Sequence, residues 1–228
     1  MKKLERNIVI TADGSSTIGI PSWNEHYHST HGAINEAKHV YIHNGLRFWK
    51  SQNPQSVQCH LLEIGFGTGL NAWLTFLAND LPDFFVLYDG VEAFPVNSEL
   101  IGALNYIELT EISKADIFRA MHKAKWNEPA DLAPNFKLTK VHSTFESISV
   151  KETYDLIYFD AFGARVQPEL WTVNMFQKMA TALKSGGVLV TYSAKGSVRR
   201  AMQEVGLEVE RLPGPPGKRE MLRASKKK

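Results

Sequence analysis

Apolar and polar positions along this chain follow two rhythms that take turns. Short apolar runs at 59–64, 85–91, 137–141, 155–160 and 187–193 have the length and make-up of buried strands. Between them, 69–79, 97–121, 168–184 and 196–205 space their apolar residues three and four apart, which predicts helices. Such alternation predicts an α/β fold with a mostly parallel sheet covered on both faces. Upstream, residues 6–12 read as a short strand and "DGSSTIGIPS" as a turn leading into a second β segment. Ile34, Ala37, Val40, Tyr41 and Leu46 mark a helix over 32–51, with Gly45 its weak point. Segments 207–212 and 219–224 suit an antiparallel hairpin closing the sheet edge, and "HKAKWNEPADLAPNF" reads as an irregular insertion.

Length and composition narrow the class. A chain of 228 residues, 43% hydrophobic and 22% charged, suits one substantial soluble domain. No apolar run approaches the roughly 20 residues that cross a bilayer, and charges interrupt "MKKLERNIVI" as a signal core. A cytoplasmic protein without membrane contact is expected. Cys59 is the only cysteine, which excludes an internal disulfide and a cysteine-based metal site. Net charge is +2, but residues 195–228 hold ten Lys/Arg against four Asp/Glu, so that end carries +6 and the rest −4. "ASKKK" reads as a solubilising tail, whereas Arg199, Arg200, Lys218 and Arg219 are better placed to face phosphates.

Two stretches carry candidate chemistry. In "LLEIGFGTGL" a strand ends near Ile64, and Gly65, Gly67 and Gly69 shape the turn into a helix. Glycines serve where the backbone takes φ > 0 or passes close to a ligand. The spacing is GxGxG with Glu63 two residues ahead, and Leu70 stands where a dinucleotide loop would have its third small residue. An ordinary tight strand–helix turn is the alternative. Glu92 lies at the end of the next strand, where a carboxylate can accept both hydroxyls of a ribose. Asp89 competes for that role. In "YDLIYFDAFGARVQPELW", a strand delivers Asp160 to the sheet edge that carries the glycine loop. Asp160 could accept a hydrogen bond from a nucleophilic amine, and Phe162 could stack on a planar base. A turn or helix-capping aspartate is the alternative.

The glycine loop with Glu63 resembles the first motif of class I S-adenosylmethionine-dependent methyltransferases. A more specific resemblance covers nearly the whole chain. "DGSSTIGIPSWNEHYHSTHGAINEAKHVYI", "EIGFGTGLN", "VEAFP", "FDAFGARVQPELW", "VRRAMQEVGLEV" and "GPPGKREML" are similar to the methyltransferase family that completes 5-methylaminomethyl-2-thiouridine at the tRNA wobble position. The resemblance implies a Rossmann-like core over 56–228 with a mostly parallel seven-stranded sheet, and an N-terminal β/α extension and lid over 1–55. It implies S-adenosylmethionine as cofactor, held by Glu63, Gly65, Gly67, Gly69, Asn71 and Glu92, with Tyr27 and Ser29 of the lid and Ser143 nearby. Asp160 and Phe162 inherit catalytic positions. His28, Arg199, Arg200, Lys218, Arg219 and Glu220 fall to the substrate, the anticodon stem-loop of tRNA. Relatives are often fused to a flavin-dependent oxidase; this chain stops after "KREMLRASKKK", so no oxidase or FAD is implied within it, and whether a separate FAD-dependent oxidase acts upstream stays open.

Two departures from the pattern stand out. His142 and Ser143 occupy the place of a Gly-Asp pair whose acid reaches the adenine amino group, and Gly217 replaces a basic residue before "KREM". His26, His28, His31, His39 and His43 cluster without HExxH spacing, so packed or solvated histidines are expected rather than zinc ligands. Two rival functions stay open: methylation of a small-molecule amine, and non-catalytic tRNA binding.

Overall fold

The central sheet forms because its middle runs, 59–64 and 154–159, bury both faces, while the run 136–142 alternates buried and polar positions nearer one edge. In the computed structural model, which describes residues 5–81 and 83–227, β4 (Gln58–Ile64), β5 (Phe85–Glu92), β7 (Phe136–His142), β8 (Tyr154–Phe159) and β9 (Leu183–Thr191) lie parallel in the order β9-β8-β4-β5-β7. The hairpin β10 (Glu208–Pro213) and β11 (Glu220–Ser225) adds antiparallel to β9. The opposite edge holds an eighth strand where seven were expected. β6 (Pro129–Ala133), inside the supposed irregular insertion, pairs antiparallel with β7. Its polar sequence masked it; Pro129, lacking an N–H, is tolerated because it opens an edge strand.

Period-2 alternation sorts side chains between two layers. Leu61, Leu156 and Tyr158 face one core with Trp73, Tyr41 and Tyr88. Leu62, Ile64, Ile157 and Phe159 face the other, with Phe176 and Met179 of α7 (Val173–Ala182) and Val198 and Met202 of α8 (Gly196–Glu204). Burying each large apolar side chain contributes about 2–3 kcal/mol of transfer free energy. The first layer also takes α3 (Leu70–Ala78) and a continuous helical rod over 33–52.

That rod is not uniform. α1 (Ala33–Ala37) runs into a π-helical stretch, Lys38–Arg47, and then α2 (Phe48–Gln52). Gly45, which looked like a weak point, lets the rod touch the sheet: a Cβ there would sit 3.0 Å from Tyr158 Cε1 and 3.1 Å from Val190 Cγ2. Ahead of the rod, β1 (Asn7–Ile10), β2 (Ser16–Ile20) and β3 (Glu25–His26) form a separate antiparallel sheet.

The helix expected over 97–121 is divided into α4 (Ser98–Gly102), α5 (Tyr106–Leu109), a 3-10 turn at Ile112–Lys114 and α6 (Ala115–Lys123). Asn105 breaks it. Its Oδ1 accepts from the Ser16 amide at 2.7 Å and its Nδ2 donates to Gly14 O at 2.9 Å, tying the small sheet to the core. Such side-chain bonds compete with helix propagation.

Candidate active site

β4 sits between β5 and β8, so chain connections leave it in opposite directions and open a crevice beyond the carboxyl ends of these strands. The loop after β4 crosses that crevice. Gly65 and Phe66 both donate to Val91 O at 3.0 Å, which folds the loop over the β5 tip. Gly65 has φ 92°, and a Cβ there would lie 2.7 Å from the Asp160 carbonyl oxygen. Gly67 has φ 51° and would crowd the Tyr27 ring at 3.1 Å. The glycines are required by three neighbours at once: the β8 tip, the ring of Tyr27, and His122 behind Gly69. Glu92, at the end of β5, accepts from Gly67 N at 3.0 Å through one oxygen and from Phe94 N at 2.8 Å through the other. Asp89 points elsewhere, to His60 at 2.9 Å and Tyr154 at 3.0 Å.

Asp160 ends β8 on the face of Leu156 and Tyr158. Its Oδ1 accepts from the Tyr41 hydroxyl at 2.5 Å and its Oδ2 from Asn71 Nδ2 at 2.8 Å. Asn71 Nδ2 also donates to Glu63 Oε1 at 2.8 Å, and Tyr88 donates to Glu63 Oε2 at 2.8 Å. Burial pushes Asp160 up to about 7 from an ordinary 3.8, and the negative charge of Glu36 adds to this; donation from Tyr41 and Asn71 and the charge of Lys218 oppose it. Burial, then Asp160, holds the Glu63 carboxyl well above the usual carboxylate range. Lys218 pairs with Glu36 and places Nζ 4.1 Å from the centre of the Tyr192 ring.

Of these groups Asp160, Asn71, Glu36, Lys218 and Tyr192 border one cavity of about 730 Å³. Tyr192 donates to Ala161 O and Trp171 Nε1 to Phe162 O, both at 2.8 Å, so "DAF" is held from two sides. Phe162 meets Tyr27 edge-on at 5.0 Å and Trp23 at 5.7 Å. Arg165 clasps the same N-terminal segment, reaching Trp23 O at 2.7 Å, Asn24 O at 3.0 Å and the Glu25 carboxylate at 2.7 Å. His28 bonds Thr17 Oγ1 at 3.0 Å, and burial lowers its pKa to about 4, so the ring is neutral.

Of the residues singled out in the sequence, Gly65, Gly67, Asn71, Glu92, Tyr27, His28, Ser29, Asp160, Phe162 and Lys218 line the cavity. Glu63 does not: the strand alternation turns it under α3, fully buried, where it holds Asn71. Gly69 likewise caps α3 outside the wall. Ser143 turns its hydroxyl to Ser147 at 2.6 Å and is replaced at the wall by Phe145, with Ala93 and Phe94 beside it. Arg199, Arg200, Arg219 and Glu220 stand outside the wall, Arg200 and Arg219 exposed, and Lys195 lines the rim instead. Among the described residues no group of three His, Cys, Asp or Glu comes together to hold a metal. His39 instead bonds Pro213 O at 2.8 Å. Glu36 and Tyr41 lie within the segment 13–42 that carries the resemblance, but the helical spacing there reads as packing and gives neither a role at the site.

Comparison with known proteins gives these observations a context. Residues 115–227 match a family described as S-adenosyl-L-methionine-dependent methyltransferase. The chain is 28% identical, over 95% of its length and 33% of the relative's, to the tRNA 5-methylaminomethyl-2-thiouridine biosynthesis bifunctional protein MnmC of Pseudoalteromonas atlantica. It is 32% identical to the protein of the same name from Leptospira interrogans, over 86% of this chain and 32% of that one. The chain thus spans about a third of the length of these curated relatives. The crystal structure of MNMC2 from Aquifex aeolicus shares the fold, with TM-score 0.76 at 24% identity over 98% of this chain and 71% of that one. No described helix is long and apolar enough to cross a membrane. Through residues 115–227 the chain is thus similar to the S-adenosyl-L-methionine-dependent methyltransferases, and over most of its length it is similar to about a third of the length of the MnmC proteins.

Proposed function

We propose that the chain transfers a methyl group to the exocyclic amine of 5-aminomethyl-(2-thio)uridine at the tRNA wobble position. The observation that carries this reading is the convergence of Asp160, the glycine loop and Glu92 on one cavity whose wall also presents Trp23, Tyr27, Phe94, Phe145 and Phe162. S-adenosylmethionine, the cofactor of the class, supplies an electrophilic methyl group on a sulfonium. The residues present fit it. The loop backbone at Gly65 and Gly67 is kept free of side chains, and Glu92 keeps lone pairs for ribose hydroxyls beyond its two backbone partners. Ala93, Phe94 and Phe145 offer an apolar slot for a base, while Ser143 is spoken for by Ser147.

Asp160 faces the substrate amine. Its carboxylate accepts a hydrogen bond from the incoming ammonium and takes up one proton, which leaves a neutral nitrogen lone pair aimed at the methyl carbon. Holding that nitrogen in line is worth several kcal/mol in effective concentration. A group that titrates near 7 changes protonation state readily under working conditions. Phe162, Trp23 and Tyr27 give the uracil ring flat and edge surfaces, and a wobble base in a single-stranded loop enters with little unpairing cost. The segment from Trp23 to Thr30 acts as the lid, within an extension over 1–55 that packs on the core. Lys195 and Lys218 at the rim, with Arg199, Arg200 and Arg219 beyond it, hold anticodon-stem phosphates. The reaction takes place in the cytoplasm, on an amine supplied by an FAD-dependent oxidase acting upstream.

The test is nucleoside analysis of tRNA from a strain lacking this gene and any other enzyme that methylates this base. The expected result is accumulation of the aminomethyl nucleoside and loss of its methylated form. An unchanged nucleoside profile, with turnover of a free amine by the purified protein, would assign the activity to a small molecule instead.

A further inference from the structure

The proton-accepting role of Asp160, on which the following rests, leaves open what fixes a half-buried carboxylate in one orientation. We propose that Tyr41 is a positioning residue for methyl transfer, donating to Asp160 so that the carboxylate presents a fixed face to the amine.

The geometry comes from the helical rod. Positions five apart fall on different faces of an α-helix with 3.6 residues per turn. A π-turn, closed by i→i+5 bonds, brings them toward one face, and π-helical segments occur frequently at functional sites. Glu36 and Tyr41 are five apart where the rod changes from α to π winding, and both meet the site: Glu36 lines the cavity, and Tyr41 reaches Asp160 from behind. Tyr41 is 2% exposed and absent from the cavity wall, so it acts through Asp160 rather than on a ligand. Its ring rests on Tyr158 at 5.1 Å, which fixes the hydroxyl. Burial and the neighbouring Asp160 hold the phenol well above its ordinary 10.0, so it stays a donor across the working range.

The charged and titratable groups that face Asp160 from each packed element are few. The rod supplies Tyr41 and Glu36, β4 and β5 supply Glu63 and Tyr88, the β9 end supplies Tyr192, and the β10–β11 loop supplies Lys218. Tyr41 donation favours the carboxylate and Glu36 disfavours it. Removing them therefore moves the Asp160 titration in opposite directions, which packing alone does not do.

The experiment compares wild type, Tyr41→Phe and Glu36→Gln by carboxyl-carbon NMR titration of protein labelled at aspartate, with Asp160→Asn identifying the signal. The same variants are assayed for kcat against pH on tRNA bearing the aminomethyl uridine. Tyr41→Phe should raise the Asp160 midpoint, move the acidic limb of kcat to higher pH and lower kcat at neutral pH about tenfold, the loss expected for a hydrogen bond to a charged group. KM for S-adenosylmethionine should stay within about twofold. Glu36→Gln should move midpoint and limb to lower pH. A Tyr41→Phe protein with the wild-type midpoint and profile would overturn the proposal, because the retained ring would then be all that matters. If wild type ignores this tRNA, the substrate reading fails, and the titration of the free protein still decides the role of Tyr41.

Discussion

Glu92 illustrates how far a single residue can be read from a sequence. Strand-end position favoured it over Asp89, and hydrogen bonding separates the two: Asp89 is occupied by His60 and Tyr154, whereas Glu92 borders the cavity. Glu92→Gln keeps the size but loses charge and two acceptor positions. Cofactor affinity should fall roughly 10- to 100-fold, as for a hydrogen bond to an ionised group, and calorimetric titration measures it. An affinity within twofold of wild type would remove Glu92 from the ribose. Asp160→Ala should do the reverse, abolishing most turnover while leaving cofactor binding near normal. Gly65→Ala tests the loop itself. With φ 92° and the Asp160 carbonyl 2.7 Å from the new carbon, the loop must move, so both stability and cofactor binding should drop, by about 1–2 kcal/mol or more in unfolding. Residues with special backbone demands or end-of-strand acids were legible from sequence. Tyr41, Glu36, Tyr192 and Arg165 were not, because their roles depend on which distant element they meet.

Elements were legible in kind and less so in extent. The middle parallel strands follow from apolar runs that only a covered sheet accommodates, and the edge strand β7 and the terminal hairpin from alternating or turn-flanked β segments. The errors share a cause, which is side chains bonding outside their own element. Asn105 ends a helix to hold the small sheet, and β6 exists because β7 offers it an edge, neither of which periodicity can report. The same logic applies to the segment over the cavity. One exposed arginine, Arg165, anchors it by two carbonyls and Glu25. Solvent screening limits that clasp to about 1 kcal/mol. Arg165→Ala should therefore speed hydrogen exchange at residues 23–27 roughly fivefold and raise KM for the RNA more than it lowers kcat. Unaltered exchange there would mean that the aromatic contacts of Trp23 and Tyr27 with Phe162 suffice to hold the segment.

At the scale of the whole molecule, the fold keeps a half-buried acid at the cavity wall, and this has a measurable cost. Asp160 binds its proton more tightly in the folded chain, near 7 against an ordinary 3.8, so its contribution to stability is full below about 3.8 and is lost as pH rises through about 7. His28 and His122, both lowered by burial to about 4 from 6.5, act in the other direction: their contribution is full above 6.5 and is lost as pH falls through about 4. The wild-type profile mixes these opposed slopes, whereas the difference between Asp160→Asn and wild type isolates the acid. Between about pH 4 and pH 7 the variant should gain stability relative to wild type by up to about 1.4 kcal/mol per pH unit, the slope for one proton. Urea unfolding at four pH values across that window measures it. A difference that stays flat would show that Asp160 titrates like a solvated carboxylate, and a solvated carboxylate at the β8 tip would be too acidic to take a proton from the amine at neutral pH.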